Sequence, residues 1–196
     1  MTPDVTEPDR TDDPRDDKTL LFDHVAGDER AFGILAARHQ QRMWNVALRT
    51  TRNPEDASDA LQEAMISAFR RASTFRGDAM VTTWLHRIVV NACLDRLRRN
   101  KVRRSEPLPE NEDRSLRLAI EDHSEDHLEQ RELRSVIADA LDQINPDQRA
   151  AIVLIDMEGY SVEEAAEMLG CAPGTIKSRC SRGRARLQPL LAPLRD

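Results

Sequence analysis

Residues 161–188 contain the feature that most limits what this chain can fold into: two helices joined by a very tight turn. The Ser-Val-Glu-Glu run that begins at Ser161 has the capping-box pattern, in which a hydroxyl and a later carboxylate satisfy the free N–H groups of a helix start. Gly170 suits the left-handed conformation that ends a helix, and Pro173 suits the first turn of the next helix. The pattern predicts a helix-turn-helix whose second helix spans 173–191.

The second helix of this motif has an apolar face and a basic face. At 100° per residue, four positions fall together and are expected to be buried: Ile176, Cys180, Gly183 and Leu187. Residues 171–188 hold five basic residues and no acidic one. A solvated basic helix without a ligand is the alternative, but the capping box, tight turn and acid-free face together favour DNA binding. Outward side chains would then reach base edges, and flanking basic residues would contact phosphates.

Charge changes sign along the chain. The formal net charge is −6 at pH 7, which taken alone argues against nucleic acid. Yet residues 86–104 carry seven basic residues against one acidic residue, and a second basic run lies at 171–188. Between them, residues 105–130 carry nine acidic residues against two basic ones. Two basic segments separated by an acidic one predict two surfaces that bind polyanions.

Composition favours an all-α fold. The chain is rich in Ala, Leu, Arg and Glu, and aromatic residues make up only 4% of its 196 residues. We predict two small helical domains at 19–104 and 128–194, preceded by a disordered tail at 1–18. The acidic segment 105–127 contains prolines and is predicted to be a flexible linker.

Cap residues and periodicity predict the helices of both domains. In the first domain, Asp28 is expected to cap a helix that ends near Thr51, and Asn53 with Pro54 is expected to start the next. The predicted ranges are about 28–51, 54–72 and 82–101 in the first domain, with a loop at 73–81, and about 125–144, 146–157, 161–169 and 173–191 in the second.

Cysteine usage and hydropathy indicate where the protein resides. The chain has three cysteines and no Cys-x-x-Cys pair, which indicates a reducing cytoplasm, and we expect Cys171 and Cys180 to be packing residues. No apolar run is long enough to form a membrane-spanning helix, so no membrane span is predicted. The acidic, polar N-terminus resembles neither a secretory signal nor a transit peptide.

The predicted helix at 82–101 is apolar almost all round, with a narrow polar stripe that includes Arg87, Asn91 and Arg98. Phe75 and Trp84 bracket the Gly-containing loop before it, and aromatic rings beside basic residues suit stacking on unpaired bases. Asn91 can supply hydrogen bonds to a flipped base. The alternative is that both rings belong to the core, and periodicity favours that alternative for Trp84.

Five fragments, taken together and in this order, resemble the extracytoplasmic-function (group IV) sigma factors of bacterial RNA polymerase. They are Asp59-Ala-Leu-Gln-Glu-Ala-Met-Ile-Ser-Ala-Phe69, Phe75-Arg-Gly-Asp78, Trp84-Leu-His-Arg-Ile-Val-Val-Asn91, Gly159-Tyr-Ser-Val-Glu-Glu-Ala-Ala166 and Gly174-Thr-Ile-Lys-Ser-Arg179. The resemblance implies a protein that binds core polymerase and directs it to promoters. The first domain corresponds to region 2, which recognises and melts the −10 element, and the second to region 4, which reads the −35 element.

The resemblance also implies roles for individual residues. The "−10 group" consists of Phe75, Arg87, Ile88, Asn91 and Arg98. The "−35 group" consists of Thr175, Lys177, Ser178, Arg179, Ser181, Arg182 and Arg186. The "acidic face" of the helix at 54–72 consists of Asp56, Asp59, Gln62 and Glu63. The resemblance implies that this face contacts the β′ clamp helices. From the residues alone, the default interpretation is a solvated charged surface.

The promoter sets a distance that the two domains must span. Two elements about 17 base pairs apart lie roughly 58 Å apart at about 3.4 Å per pair. A linker of about 24 residues spans roughly 27 Å as a random coil and about 80 Å when fully extended. We therefore expect the linker to be stretched when polymerase holds the protein.

The resemblance implies two partners, core polymerase, contacted through its β′ clamp helices and β flap, and promoter DNA. It also implies that an anti-sigma factor regulates the protein and that the free protein is a monomer. We expect no catalytic residues, cofactor or metal, because the sequence has no P-loop, HExxH or zinc spacing. Two other hypotheses remain open from the residues. An autonomous regulator would bind duplex DNA tightly without polymerase, and a DNA-acting enzyme would need a catalytic constellation in the first domain.

Overall fold

The computed structural model describes residues 13–105 and 128–192, and within these ranges every regular element is helical. The predicted linker and the segment 1–12 lie outside the described residues. The first domain contains α1 (Asp17–Ala26), α2 (Ala31–Thr51), α3 (Pro54–Arg71), a 3₁₀ turn (Ala72–Thr74) and α4 (Val81–Ser105). The second contains α5 (Leu128–Asp142), α6 (Pro146–Ile152), a π-helical turn (Val153–Met157), α7 (Val162–Met168) and α8 (Pro173–Leu191). This confirms the predicted all-α fold of two helical domains.

The start of α3 follows from its sequence. The side chain of Asn53 accepts a hydrogen bond from the backbone N–H of Asp56 at 2.9 Å, and Pro54 occupies the first turn, as predicted. Arg52 ends α2 with a left-handed backbone (φ 63°), the conformation that most often closes a helix. These two residues end α2 and begin α3, with no loop between them.

The N-terminal segment differs from the prediction. Helix α1 begins at Asp17, and Arg15 before it donates hydrogen bonds to Asp13, Asp23 and Asp28, so the segment 13–18 is held against the domain. The prediction of disorder was therefore wrong for 13–18. The cap position of α2 is occupied by Arg30 and not by Asp28. The Asp28 carboxylate accepts from the Arg30 backbone N–H just before the helix and from the Arg15 guanidinium, both at 2.9 Å. Local sequence patterns indicate neither the ordered segment nor the role of Asp28, because the ion pairs of Arg15 with Asp23 and Asp28 join a residue that precedes α1 to one near its end and one after it.

The second domain matches the predicted order with one difference in geometry. The helix expected at 146–157 is α6 followed by the π-helical turn. Asn145 caps α6 by accepting from the Asp147 N–H at 2.9 Å. π-Helical segments are rare and often mark functional positions, and this one leads directly into Glu158.

The two domains share a buried apolar core. α6 and the π-helical turn lie against α2, and α6 also packs on α4. A single cluster of buried side chains therefore runs from Leu35 and Val46 in the first domain to Val153, Leu154 and Ile176 in the second. Cys93 and Cys180 are buried within it, which agrees with packing roles, and burial raises the pKa of Cys93 to about 12.

Candidate nucleic-acid interface

The helix-turn-helix forms as its sequence predicts. The Ser161 hydroxyl accepts from the Glu164 backbone N–H at 3.2 Å, and the Glu164 carboxylate accepts from the Ser161 N–H at 2.9 Å. The Ser161 N–H and the Ser161 hydroxyl both donate to the Glu164 carboxylate, and they lower the pKa of Glu164 because they stabilise its charged form. Gly170 takes a left-handed conformation (φ 60°), and Pro173 opens α8. The capping box therefore fixes the start of α7, and Gly170 and Pro173 form the short turn that leads to α8.

Helix α8 buries the four positions that its periodicity predicts, Ile176, Cys180, Gly183 and Leu187. Gly183 lies against α6 so closely that a Cβ there would stand 2.5 Å from Cδ1 of Ile152. A side chain at this position would require the tip of the Ile152 side chain to shift. The four buried positions together set which residues of α8 face outward.

The −35 group falls into two sets by exposure. Lys177, Ser181, Arg182 and Arg186 are exposed, while Thr175, Ser178 and Arg179 are half-buried. Arg182 is oriented by its own helix, since its guanidinium donates to the carbonyl and the hydroxyl of Ser178 at 3.2 and 2.9 Å. The outward face of α8 therefore offers both cations and hydroxyls to a groove.

Arg179 does not point freely outward. It lies 3.5 Å from the Asp147 carboxylate of α6 and donates to the Cys171 sulfur at 3.7 Å. Arg184, on the flank expected to meet phosphates, is held by two hydrogen bonds to Asp156 at 2.7 and 3.1 Å. Two of the five basic residues of α8 are therefore neutralised by acidic residues of their own domain.

Phe75 lies in the core of the first domain. Only 7% of its surface is exposed, and its ring stands 6.1 Å from Phe22 and 5.7 Å from Trp84, centroid to centroid. A base stacked on Phe75 would have to displace one of these rings. Phe75 packs the loop against α1, and it does not lie on the same surface as the rest of the −10 group. Trp84 packs against the same core, as periodicity favoured.

An open cavity of about 600 Å³ lies beside the loop that follows Phe75. The loop at 77–80 and the first two residues of α4 form one side of it, and Asp17, Lys18 and Arg38 form another. Lys18 holds the loop by donating to the Gly77 carbonyl at 3.2 Å. No local sequence pattern indicates this cavity, because α1 and the loop are far apart along the chain.

The polar stripe of α4 faces the second domain. The Asn91 amide donates to the Arg87 carbonyl of its own helix at 2.7 Å and to the Met168 carbonyl of α7 at 2.8 Å. Arg87 lies 3.6 Å from the Glu167 carboxylate. Arg98 also contacts the second domain, at 3.6 Å from Asp147 of α6. Arg87, Asn91 and Arg98 therefore lie along one face of α4. Ile88 is half-buried beside them.

The acidic face of α3 is partly neutralised by α4. Asp56 is poorly exposed and accepts hydrogen bonds from Arg96 and Asn100 at 2.9 and 2.8 Å. Arg96 also pairs with Asp59. Asp56 therefore joins α3 to α4, a position suited to stabilising the domain.

Three members of the acidic face remain accessible. The side chains of Asp59 and Glu63 are about half exposed, and Gln62 is exposed between them. Glu63 pairs with Arg99 of α4 at 2.7 Å. Ile66 and Phe69, two exposed apolar side chains, follow on the same helix at the spacing of one face.

A polar cluster that sequence patterns do not reveal lies between the domains. The Glu158 carboxylate is almost buried and accepts from Arg42 and Arg49 of α2 at 3.1 and 3.2 Å. Beside it, fully buried His86 of α4 has Nδ1 2.7 Å from the Tyr160 hydroxyl. The sequence carries no signal for this cluster, because its members come from three parts of the chain that only the domain packing brings together.

Comparison with known proteins identifies the family of both domains. The family model for sigma-70 region 2 matches residues 35–103, and the model for sigma-70 region 4 matches residues 134–187. The ECF RNA polymerase sigma factor SigM of Mycobacterium tuberculosis is 49% identical over 180 residues, which cover 92% of this chain and 87% of SigM. The chain is an ECF sigma factor.

More distant relatives agree with this assignment. The ECF RNA polymerase sigma-E factor of Haemophilus influenzae is 33% identical, with 91% of this chain and 96% of that protein covered. Among solved structures, CnrH in complex with the cytosolic domain of CnrY matches with a TM-score of 0.62 at 27% identity, covering 90% of this chain and 97% of CnrH. RpoE of Bartonella quintana, in complex with the anti-sigma factor NepR, matches with a TM-score of 0.61 at 28% identity, covering 83% and 98%.

An ECF sigma factor binds core RNA polymerase and directs transcription initiation at promoters. This protein is therefore a transcription initiation factor and not an enzyme. The family excludes the DNA-acting enzyme and the autonomous regulator that the residues alone left open. None of the helices in the described ranges is long and apolar enough to cross a membrane.

Proposed function

We propose that the outward face of α8 reads the −35 element. The observation that carries this proposal is the fixed rotation of α8, whose buried face leaves Lys177, Ser181, Arg182 and Arg186 exposed at the end of a capped helix-turn-helix. Arg182 and Ser181 lie at the centre of that face and suit base edges, while Lys177 and Arg186 flank it and suit phosphates. Thr175, Ser178 and Arg179 complete the contact.

The polar stripe of α4 recognises the −10 element and helps to melt it. Asn91 has the amide that a base edge requires, Arg87 and Arg98 supply positive charge, and half-buried Ile88 offers apolar contact between them. Phe75 supports this surface from the core by holding the loop against α1 and Trp84.

The acidic face of α3 contacts the β′ clamp helices of core polymerase. Asp59, Gln62 and Glu63 are exposed on one side of α3 and suit a basic partner surface, with Asp56 anchoring α3 to α4 behind them. The second domain also contacts the β flap. The protein works in the cytoplasm, where polymerase acts, as a monomer when free.

An anti-sigma factor controls this protein and so makes its regulon responsive to a stress or other signal. Support comes from CnrH and the Bartonella RpoE, whose structures contain CnrY and the anti-sigma factor NepR respectively. Both cover most of this chain with the same fold.

Transcription in vitro tests the proposal. Core polymerase with the full-length protein should give promoter-dependent transcripts from templates that core alone does not use. Asn91→Ala should reduce open-complex formation while the protein still binds core, because Asn91 lies on α4, away from the acidic face. Asn45→Ala on α2, whose side chain accepts from Gln41 of the same helix, is the matched control. Absence of any promoter-dependent transcript would refute the assignment, and loss of core binding in Asn91→Ala would show that Asn91 is misplaced.

A further inference from the structure

Arg184 lies on the same flank of α8 as Lys177. It follows Lys177 by seven residues, so the two side chains project on nearly the same side of the helix, and both are exposed. The major groove of DNA is about 12 Å wide, and an α-helix with its side chains is about 10–12 Å across. A helix seated in the groove therefore brings its flanks against the phosphates that line the groove walls.

Asp156 of the π-helical turn holds Arg184 through a fork of two hydrogen bonds. Nε and Nη2 of Arg184 donate to Oδ2 and Oδ1 of Asp156 at 3.1 and 2.7 Å. A guanidinium carries five N–H donors in one rigid plane, and this fork takes up the edge formed by Nε and Nη2. The edge formed by Nη1 and Nη2 is a second pair of donors in that plane, and 56% of the Arg184 side chain is exposed. This second edge suits two oxygens of one phosphate.

The π-helical turn gives Asp156 a fixed position. Val153 and Leu154 of the same turn are fully buried, and Met157 on the other side of Asp156 packs against the core. The buried face of α8 belongs to the same core. The carboxylate and the helix that it serves are therefore held by one packed unit. An arginine side chain loses rotamer freedom when it binds a ligand, and an arginine that is already oriented loses less.

A carboxylate beside a DNA-binding arginine can act in two opposite ways. It can cancel the charge that attracts a phosphate, or it can orient the guanidinium toward that phosphate. Cancelling the charge needs proximity alone, as on the opposite flank of α8, where Nη2 of Arg179 lies 3.5 Å from Asp147. The two hydrogen bonds at Arg184 fix the plane of the guanidinium as well, which favours orientation.

We propose that Asp156 is a positioning residue that aims Arg184 at a backbone phosphate of the −35 element, next to the phosphate contact of Lys177. This role rests on the proposed function of α8 as the reader of that element. Arg184 makes the contact, and Asp156 acts only through Arg184. A phosphate contact carries no sequence information of its own, but it fixes the register of α8 in the groove, so that Arg182 meets its base.

DNA binding by polymerase holoenzyme that contains the full-length protein tests this role. The probes are a duplex with a promoter that the holoenzyme transcribes and the same duplex with a scrambled −35 element. Asp156→Asn and Arg184→Ala should each lower the affinity for the intact promoter by about threefold to tenfold, and the double variant should be no weaker than Arg184→Ala. Asp156→Asn should bind the scrambled duplex as well as wild type or better, because it removes a negative charge near DNA.

Asp139→Asn, at an exposed position of α5, makes the same change of charge and is the matched control. It should bind both duplexes as wild type does. Exposed ion pairs contribute little to stability, so circular dichroism should show the same helix content and thermal transition for every variant.

The sign of the Asp156→Asn effect decides between orientation and cancelled charge. Unchanged or tighter binding to the intact promoter would overturn the positioning role. An equal loss on both duplexes would overturn it too, and so would a double variant that adds the two single losses, because Asp156 would then act independently of Arg184. Wild-type holoenzyme that binds the intact and scrambled duplexes equally would refute the proposed function of α8 itself.

Discussion

Arg182 and Lys177 differ in what they can read, although both are exposed cations on α8. The Arg182 guanidinium is oriented by Ser178, and a fork of donors held in this way suits the two acceptors of a guanine edge. Arg182→Ala should relax preference at one −35 position, at a cost of about 1–3 kcal/mol for the preferred base. Lys177→Ala should weaken binding evenly across sequences and reduce the salt slope by about one.

Binding of polymerase holoenzyme to a panel of −35 variants, repeated at several salt concentrations, separates these two effects. The same loss for every sequence in both variants would contradict the division of roles between Arg182 and Lys177.

His86 makes stability depend on pH. Burial lowers the pKa of His86 to about 4 from an ordinary value of 6.5, and nearby Arg42 and His39 also lower it while Glu158 opposes them. Its Nδ1 faces the Tyr160 hydroxyl. Between pH 6.5 and 4 the unfolded chain binds the proton that the folded chain excludes, so this contribution is full above pH 6.5 and is lost as pH falls toward 4. The loss by pH 4.5 is on the order of 2 kcal/mol.

Urea unfolding at pH 7.5, 6 and 5 measures this dependence. His86→Gln should flatten the change in free energy of unfolding over that interval, although it lowers stability at pH 7.5. A variant with the same pH slope as wild type would show that other groups cause the acid sensitivity.

At the scale of the element, α7 depends on its capping box. Ser161→Ala removes the acceptor for the Glu164 N–H and should lower the free energy of unfolding by about 1 kcal/mol. Ser58→Ala, at an exposed position inside α3, is the matched control and should be neutral or slightly stabilising. Thermal denaturation of both variants measures the difference. Equal effects would mean that packing alone, without the cap, fixes the start of α7.

Helix boundaries illustrate what local pattern can predict. Asn53, Asn145 and Ser161 each cap a helix through an acceptor that local sequence reveals, and all three cap as their positions indicate. Asp28 has the same chemistry, but its carboxylate accepts from the backbone N–H of Arg30, before the first residue of α2, and it also accepts from Arg15, which lies before α1. The sequence shows the acceptor at Asp28, but it does not show the cation that the fold brings to it.

At the scale of the whole molecule, Arg149 joins the domains. It is buried, and it donates to the Thr50 carbonyl of the first domain and the Ile144 carbonyl of the second at 3.3 and 3.2 Å. Burial lowers its pKa to about 10, yet it stays charged at neutral pH. Arg149→Met leaves two carbonyls without this donor and should cost about 1.5–3 kcal/mol.

Because the core is continuous, we expect calorimetry to show one transition for wild type and one transition at lower temperature for Arg149→Met. Arg70→Met, at an exposed position of α3, should leave that temperature unchanged. A first domain that melts at its original temperature while the second melts earlier would show that Arg149 acts within its own domain only.

Local sequence alone determined most of the helices, three of their caps and the orientation of α8, because these depend on residues within a few positions of one another. Ile176, Cys180 and Leu187 are buried where a period of about 3.6 places them. The resemblance of five fragments identified the family. Tertiary structure decided that Phe75 belongs to the core, that Asp56 braces α3 against α4, and that Asn91 and Arg98 face the second domain. Those outcomes depend on contacts between residues far apart along the chain, whose geometry exists only once the helices have packed.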